Sequence, residues 1–521
     1  MDGVVSPVSI AGLRRAPDPI EEDVVIGKDV IELLAGAMYA DPLTVYREYV
    51  QNAADAVDQA RELGLPFEQG PQVLIILDHV ERTVRIRDVG VGVGGAEFVR
   101  RLTAIGASKK RGANLRGFRG VGRLAGLGYC QELIFRSRTD GSSTIKELHW
   151  DSRVLRERLR DPKFDGSLAD LVKEVATVVT AQDSTGYPDR FFEVEMRKVV
   201  RIKNDLLMNE DEIRRYLSEV APVPFSPDFT FGERIRKWLS ERGVGEPVHI
   251  ELTDGKGPVY HRALNEVVVS KVGVTTFRDV ELREIKNSAG DVLAVGWLLD
   301  HGYIGAIPRG SRMAGIRLRV RDVQVGSELI LASLFTETRF AMWAAGEFHV
   351  VHPRIVPNGR RDDFEHSAAY SELQDELKVF TKDIGHLIRT RSDDRRRKRR
   401  ARLALMYAQS WLEVAGNTRH HETIRRVAAN EAETQLQVID KEAARVTLDD
   451  DLTKEAPKLR ASISRVVAAL DKNKPQGRPP VGKSKGALAA VSAIMSSTTQ
   501  IKKALPMAER VLAAMEGTVK K

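Results

Sequence analysis

The stretch Thr44 to Ala60, TVYREYVQNAADAVDQA, constrains this chain more than any other. Its periodicity predicts a helix, and it carries polar residues that an ordinary amphipathic helix does not need. Glu48, Asn52 and Asp55 are spaced four and three apart, which stacks a carboxylate, an amide and a second carboxylate along one helical stripe. Tyr49, Ala53, Ala56 and Ala60 form the neighbouring stripe. Those side chains are mostly small, so the helix can lie close against a sheet while Glu48 and Asn52 face an adjoining cleft. Taken alone, the stretch is equally a helix with a solvated polar face, and the segments downstream decide between the two.

Two strands are predicted next, Val73 to Leu77 and Val84 to Asp88, joined as a hairpin. The second runs into Asp88-Val-Gly90-Val-Gly92. A carboxylate at a strand end followed by glycines lets the backbone pass close to a planar ligand, while the acid accepts a hydrogen bond from an exocyclic amino group, as an adenine offers. Glu97 to Ile105 reads as a helix, and the basic, glycine-punctuated run Gly106 to Arg116, with Lys109 in it, as a mobile lid. Gly117-Phe118-Arg119-Gly120-Val121-Gly122 then precedes a helical pattern from Arg123 to Gly128. Glycines at a helix entrance free backbone N–H groups to point at an anion, which predicts a phosphate cradle. It is not a Walker A loop, since no Lys-Ser or Lys-Thr pair follows, and no strand leads into it as in a Rossmann fingerprint.

These three motifs, in this order, resemble the GHKL ATPases, meaning the gyrase, heat-shock protein 90, histidine kinase and MutL types. REYVQNAADAVDQA matches the N box, IRDVGVGV the adenine box and GFRGVG the glycine-rich end of the lid. The resemblance implies that Glu48 is the general base that orients the attacking water, Asn52 the Mg²⁺ ligand and Asp88 the adenine reader. It further implies that Asp55, Gly90, Gly92, Lys109 and the segment Gly117, Phe118, Arg119, Gly120, Val121 and Gly122 contact ATP. Phosphoryl transfer needs positioning and charge neutralisation, which an amide-held Mg²⁺, backbone donors and one carboxylate supply. Ser184-Thr185-Gly186 stands where the heat-shock protein 90 branch has a Gly-Thr pair, in reversed order, and Thr185 is the matching contact. The lid is short, and Arg123 takes the place of an aromatic in the chaperones.

Leu133 to Ser137, Thr144 to Trp150 and Phe191 to Val199 are predicted to complete the first sheet. Asn209 to Val220 reads as a helix. A second α/β domain follows, with strands at Val248 to Thr253, Val267 to Val269, Val292 to Leu299 and Ile316 to Val320. Its segments 302–309 and 346–362 resemble the middle domain of heat-shock protein 90. There an Asn-x-x-Arg loop sends an arginine to the γ-phosphate, and here the loop is Asn358-Gly-Arg360-Arg361, so the resemblance assigns Arg361, with Arg360 the alternative. His349 and His352 flank the loop without an acid or cysteine at ligand spacing and read as structural.

From Asp362 onward the chain turns helical and basic, with helices over Phe364 to Leu387, Leu403 to Val446, Leu452 to Leu470 and Ala487 to Met515, and six consecutive basic residues at Arg395 to Arg400. The expected architecture is an α/β (α+β sandwich) fold: a GHKL domain with an N-terminal arm over 1–200, a second domain over 201–368, and a helical region over 369–521 for dimerisation or partner binding. Apolar content of 42% and a net charge of +8 describe a water-soluble chain, and no apolar run is long enough to cross a bilayer. With no secretory signal visible, the expected location is the cytoplasm. Cys130, the single cysteine, reads as a packing residue. The resemblance implies an ATP-hydrolysing dimeric clamp that acts on a protein client. The alternative is a nucleic-acid-associated ATPase of the MutL, MORC or gyrase kind, in bacterial defence or repair, using Arg395 to Arg402.

Overall fold

The computed structural model describes residues 41–95, 97–103, 122–164, 166–181, 186–472, 489–490, 493 and 505–512. The predicted first helix is realised as α1, Thr44–Glu62, which buries Val45, Tyr49, Val50, Ala53, Ala54 and Val57. It ends at Gly64, whose φ of +66° suits a residue without Cβ and whose N–H donates to Arg61 O at 3.0 Å. Strands β1 (Val73–Asp78) and β2 (Thr83–Asp88) pair antiparallel, from Val73 opposite Asp88 to Asp78 opposite Thr83. Asp78 Oδ1 closes the turn by accepting from the backbone N–H groups of Val80 and Glu81.

Helix α2 (Glu97–Thr103) follows, and the helical pattern expected from Arg123 to Gly128 is realised as a 3₁₀ helix, Gly122–Gly128. The tighter winding is fixed from outside, because the Tyr49 hydroxyl accepts from the Gly126 N–H at 2.8 Å. Strands β3 (Glu132–Arg138) and β4 (Ile145–Asp151), helices α3 (Ser152–Arg160) and α4 (Leu168–Val175), and strands β5 (Ala176–Ala181) and β6 (Phe191–Arg197) complete this region. Helix α5 (Glu210–Val220) starts at Asn209, whose side chain accepts from the Glu212 N–H, and α6 spans Gly232–Ser240.

The first sheet has seven strands in the order β5-β4-β3-β6-β2-β1-β7. Its last member, β7 (Ile250–Leu252), pairs parallel with β1, so the strand expected to open the second domain belongs to the first sheet. A short apolar segment carries no mark of which sheet edge it will meet, and the free edge of β1 takes it. The second sheet has the order β10-β11-β14-β12-β13, from β10 (Asp279–Lys286), β11 (Val292–Asp300), β12 (Gly315–Val320), β13 (Val323–Val325) and β14 (Ala345–Val350). Strands β8 (Glu266–Val269) and β9 (Gly273–Thr276) form a separate hairpin. Every residue of β12, β13 and β14 is buried.

The chain divides into two compact units: one runs to Lys382 without Gly302–Ile304, and the other comprises those three residues and Asp383 onward. Helix α7 (Ala368–Gly416) is continuous for 49 residues and passes through the basic run, where two separate helices were expected. Arg and Lys are good helix formers, and Ile388 and Ala401 bury the apolar side across the run. Helices α8 (Glu422–Ala443) and α9 (Asp450–Lys472) follow, the first capped by the His421 side chain. In the second unit Ala404, Ala408, Trp411, Ala428, Leu436 and Ile463 form a core joined by Ala508 and Leu512. The N-terminal arm up to residue 40 and the predicted lid at 106–116 lie outside the described residues, as does most of 487–515. No helix among the described residues is long and apolar enough to cross a membrane.

Candidate functional site

Helix α1 presents Glu48 with its side chain 13% exposed, Asn52 half-buried one turn further on, and Asp55 buried. A Cβ built on Gly122 would stand 2.2 Å from Glu48 Oε2. The last glycine of the Gly117–Gly122 run therefore lies directly against the expected general base, and only glycine leaves that carboxylate where it is. Arg47 donates to Glu48 Oε1 at 3.2 Å.

Asp88 ends β2 in a buried position, and its Oδ1 accepts from the Gly90 N–H at 2.9 Å. Burial pushes this carboxyl up to about 8, against the opposing pull of the Gly90 N–H and the Arg190 charge. The glycines after it are placed by close approach. A Cβ on Gly90 would meet the Ala56 carbonyl carbon of α1 at 2.5 Å, and Gly92, with φ of +65°, lies against Arg138 O. Two residues that sequence reasoning passed over hold this loop. Arg190 donates through Nε to Gly90 O at 2.7 Å, and the Ser137 hydroxyl accepts from the Val93 N–H at 2.7 Å while donating to Phe191 O. Both act on backbone atoms, which leave no residue-type signature on the partner. Tyr49 shares its stripe with alanines, and its phenolic tip is the sequence signal of the bond to Gly126.

The Asn358–Arg361 loop reaches the same helix, since Arg47 Nη2 donates to Arg360 O at 3.2 Å. Arg361 is buried with φ of +57°, its N–H donating to Asn358 O and its carbonyl accepting from the Gly326 N–H. Arg360 is exposed. Segments from three separate parts of the chain thus lie against α1: Gly90 at Ala56, Gly122 and Gly126 at Glu48 and Tyr49, and Arg360 at Arg47. Lys109, Gly117, Phe118, Arg119, Gly120, Val121 and Thr185 lie outside the described residues.

Other expected features resolve as structural. Cys130 is fully buried, its thiol donating to Gly126 O and pushed up to about 12 by burial, which leaves it a packing residue. The basic run is tied to acids of its own unit: Arg396 to Asp393, Arg397 and Arg400 to Glu442, Lys398 and Arg402 to Asp449. The Arg395 guanidinium donates to Gly302 O and Tyr303 O.

Residues 42–172 match the family described as histidine kinase-, DNA gyrase B- and HSP90-like ATPase. The chain therefore carries a GHKL ATPase domain. Within that class it resembles the heat-shock protein 90 chaperones. It is similar to the chaperone protein HtpG of Baumannia cicadellinicola subsp. Homalodisca coagulata, 29% identical over 143 residues that cover 24% of this chain and 23% of the relative. HtpG of Verminephrobacter eiseniae (strain EF01-2) is 29% identical over 141 residues, 24% of this chain and 21% of the relative. HtpG of Anaplasma phagocytophilum (strain HZ) is 26% identical over 208 residues, 34% of this chain and 32% of the relative. The chain thus spans a third or less of the length of these relatives.

Proposed function

We propose that this chain is a cytoplasmic ATP-driven clamp of the heat-shock protein 90 type, which binds ATP, hydrolyses it slowly, works as a homodimer and acts on a protein client. The observation that carries this reading is the gathering of the adenine-box loop, the last glycine of the lid segment and the Asn358–Arg361 loop on one helix that bears Glu48 and Asn52. In this reading residues 1–200, completed by β7, form the ATP-binding domain, residues 201–368 the domain that supplies the arginine, and residues 369–521 the dimerisation or partner-binding region.

Asp88 reads the adenine amino group, and the glycines at 90, 92 and 122 let the backbone approach the nucleotide. Glu48 orients water and takes its proton. Mg²⁺ fits the donor set, because it is usually held by one or two protein oxygens plus substrate phosphates, and the Asn52 amide oxygen offers one such ligand. When bound, the ion would neutralise phosphate charge. Arg361 supplies a cation to the transferring phosphoryl group from the second domain, and its burial, against the exposure of Arg360, supports choosing it. The nucleic-acid reading loses much of its support because Arg396, Arg397, Lys398, Arg400 and Arg402 pair with acids of their own unit.

The test is steady-state ATP hydrolysis and nucleotide affinity for the full chain, with and without DNA. Arg361→Ala is expected to keep ATP affinity and lower turnover by about 10³. Arg360→Ala should do much less, and DNA should leave turnover unchanged. Full turnover in the Arg361 variant would remove the arginine from the mechanism, and stimulation by DNA would restore the rival reading.

A further inference from the structure

The second domain contains a cavity of about 410 Å³ whose lining includes none of the residues gathered on α1. Part of the lining is aromatic. Phe225 and Phe229 stand 5.4 Å apart between ring centroids, and Phe225 meets His261 edge-on at 4.7 Å. Part is polar, from Arg236, Asp322 and His349. A volume in the range of roughly 300–1,000 Å³ with an apolar body and a few convergent polar groups is that of a small-molecule site.

His349 is 2% exposed, and neither of its ring nitrogens has a hydrogen-bond partner in the protein. Asp322 Oδ1 stands 3.7 Å from its Nδ1, beyond hydrogen-bond reach. The Arg236 Nε–H is likewise buried without a partner, although its Nη2–H donates to Val244 O at 2.9 Å. Buried side-chain polar atoms are seldom left unpaired, and here two residues lining one cavity both have such atoms. Burial, helped by the Arg319 and Arg236 charges, holds the His349 imidazole down at about 3. The ring is therefore neutral at physiological pH and offers one donor and one acceptor.

The charges limit what fits. Glu347 is fully engaged by His261, Arg262 and Arg319, and Arg236 Nη1 lies 4.0 Å from Asp322 Oδ2. Glu347 and Asp322 both line the cavity, so an anion entering here meets two carboxylates, which disfavours a phosphate or nucleotide.

We propose that this cavity binds a small uncharged planar compound, an aromatic ring with a carboxamide-like edge, whose ring packs on Phe225 and Phe229 and whose donor–acceptor edge bonds His349 and the Arg236 Nε–H. The site is independent of the nucleotide reading.

The probe is benzamide, added to the full chain and followed by saturation-transfer NMR and by a soaked crystal. Benzamide is expected to bind with its amide on His349, and benzoate and toluene to bind at least tenfold more weakly. His349→Phe keeps a planar ring, somewhat larger, without the two nitrogens and should weaken benzamide about tenfold. Saturating ATP should not displace it. A crystal with only ordered water on His349, equal binding of benzamide and toluene, undiminished binding to a folded His349→Phe variant, or displacement by ATP would each overturn the proposal. Should the variant not fold, the wild-type crystal decides alone.

Discussion

Glu347, in the middle of β14, and Asp88, at the end of β2, are buried carboxylates of the same unit, and their surroundings treat them in opposite ways. Glu347 bonds His261 at 3.0 Å, Arg262 at 3.0 Å and Arg319 at 2.8 Å, and the arginine charges with the His261 hydrogen bond hold its carboxyl well below the usual range despite full burial. Asp88 takes one backbone N–H, and burial carries it up to about 8. Glu48, nearly as enclosed, has Arg47 at 3.2 Å. An acid whose lone pairs are all occupied by the protein is a fastener. One that keeps acceptor capacity in reserve can take a ligand, and on that criterion α1 and its loops, not the second sheet, hold the carboxylates with capacity to spare.

The strongest way to break this contrast is to delete one acid from each region. Glu347→Ala takes the bonded carboxylate from buried Arg262 and leaves Arg319 only Asp322 at 3.7 Å, so a loss of about 3–5 kcal/mol in unfolding free energy is expected from denaturant titration. Glu48→Ala should leave unfolding nearly unchanged while lowering turnover by about 10²–10⁴ with ATP still bound. Comparable stability losses in both would mean that the two acids play the same role. Next in size is Gly122→Ala. Its Cβ would fall 2.2 Å from Glu48 Oε2 and must displace that carboxylate, so turnover should drop about 10²-fold with ATP affinity largely kept.

The contrast sharpens with pH. Around the second sheet His261 is lowered to about 4 and His349 to about 3 by burial, below their unfolded value near 6.5. The unfolded chain then binds more protons, so the stability these groups contribute is complete above pH 6.5 and is lost as pH falls toward 4. Asp88 has the opposite sign. Its folded value lies above the unfolded one, so its contribution is present at low pH and is lost as pH rises through about 8. An amino group donated to Asp88 favours the carboxylate, so ATP binding near pH 7 should release a fraction of a proton. Calorimetry in buffers of different ionisation enthalpy measures this, and Asp88→Asn should abolish it. The smallest expected effect is Tyr49→Phe, which strands the buried Gly126 N–H and should cost about 1–3 kcal/mol of stability.

The parts of this molecule that sequence made legible are those with local causes. Thr44 to Ala60 announced its helix by period, the β1–β2 hairpin announced itself by alternating runs and a turn, and Asn209 marked the start of α5. The relations between distant segments were less legible. Nothing in Ile250-Glu-Leu252 assigns it to the β1 edge, and RRRKRR masked the apolar positions that make α7 continuous. The polar members of Gly315–Val320 are buried because Arg319 bonds Glu219 O and Ala221 O at the end of α5, a partner about a hundred residues away. At the site, residues acting through their own side chains, such as Glu48 and Asp88, were found. Arg190 and Ser137 grip carbonyls and amides and left no trace in the pattern.

The parallel pairing of β7 with β1 also sets a timetable for the ribosome. The strand VLIILD of β1 is rich in β-branched and apolar residues, and its outer edge stays open until residues 250–252 have been made. At elongation rates of about 5–20 residues per second that interval lasts roughly 10–30 s after β2 emerges. Throughout it the nascent sheet offers an unpaired hydrophobic edge to any other chain nearby, the standard template for intermolecular strand addition. Translation that stalls between α5 and β7 would therefore yield aggregate rather than a stable, truncated nucleotide-binding domain.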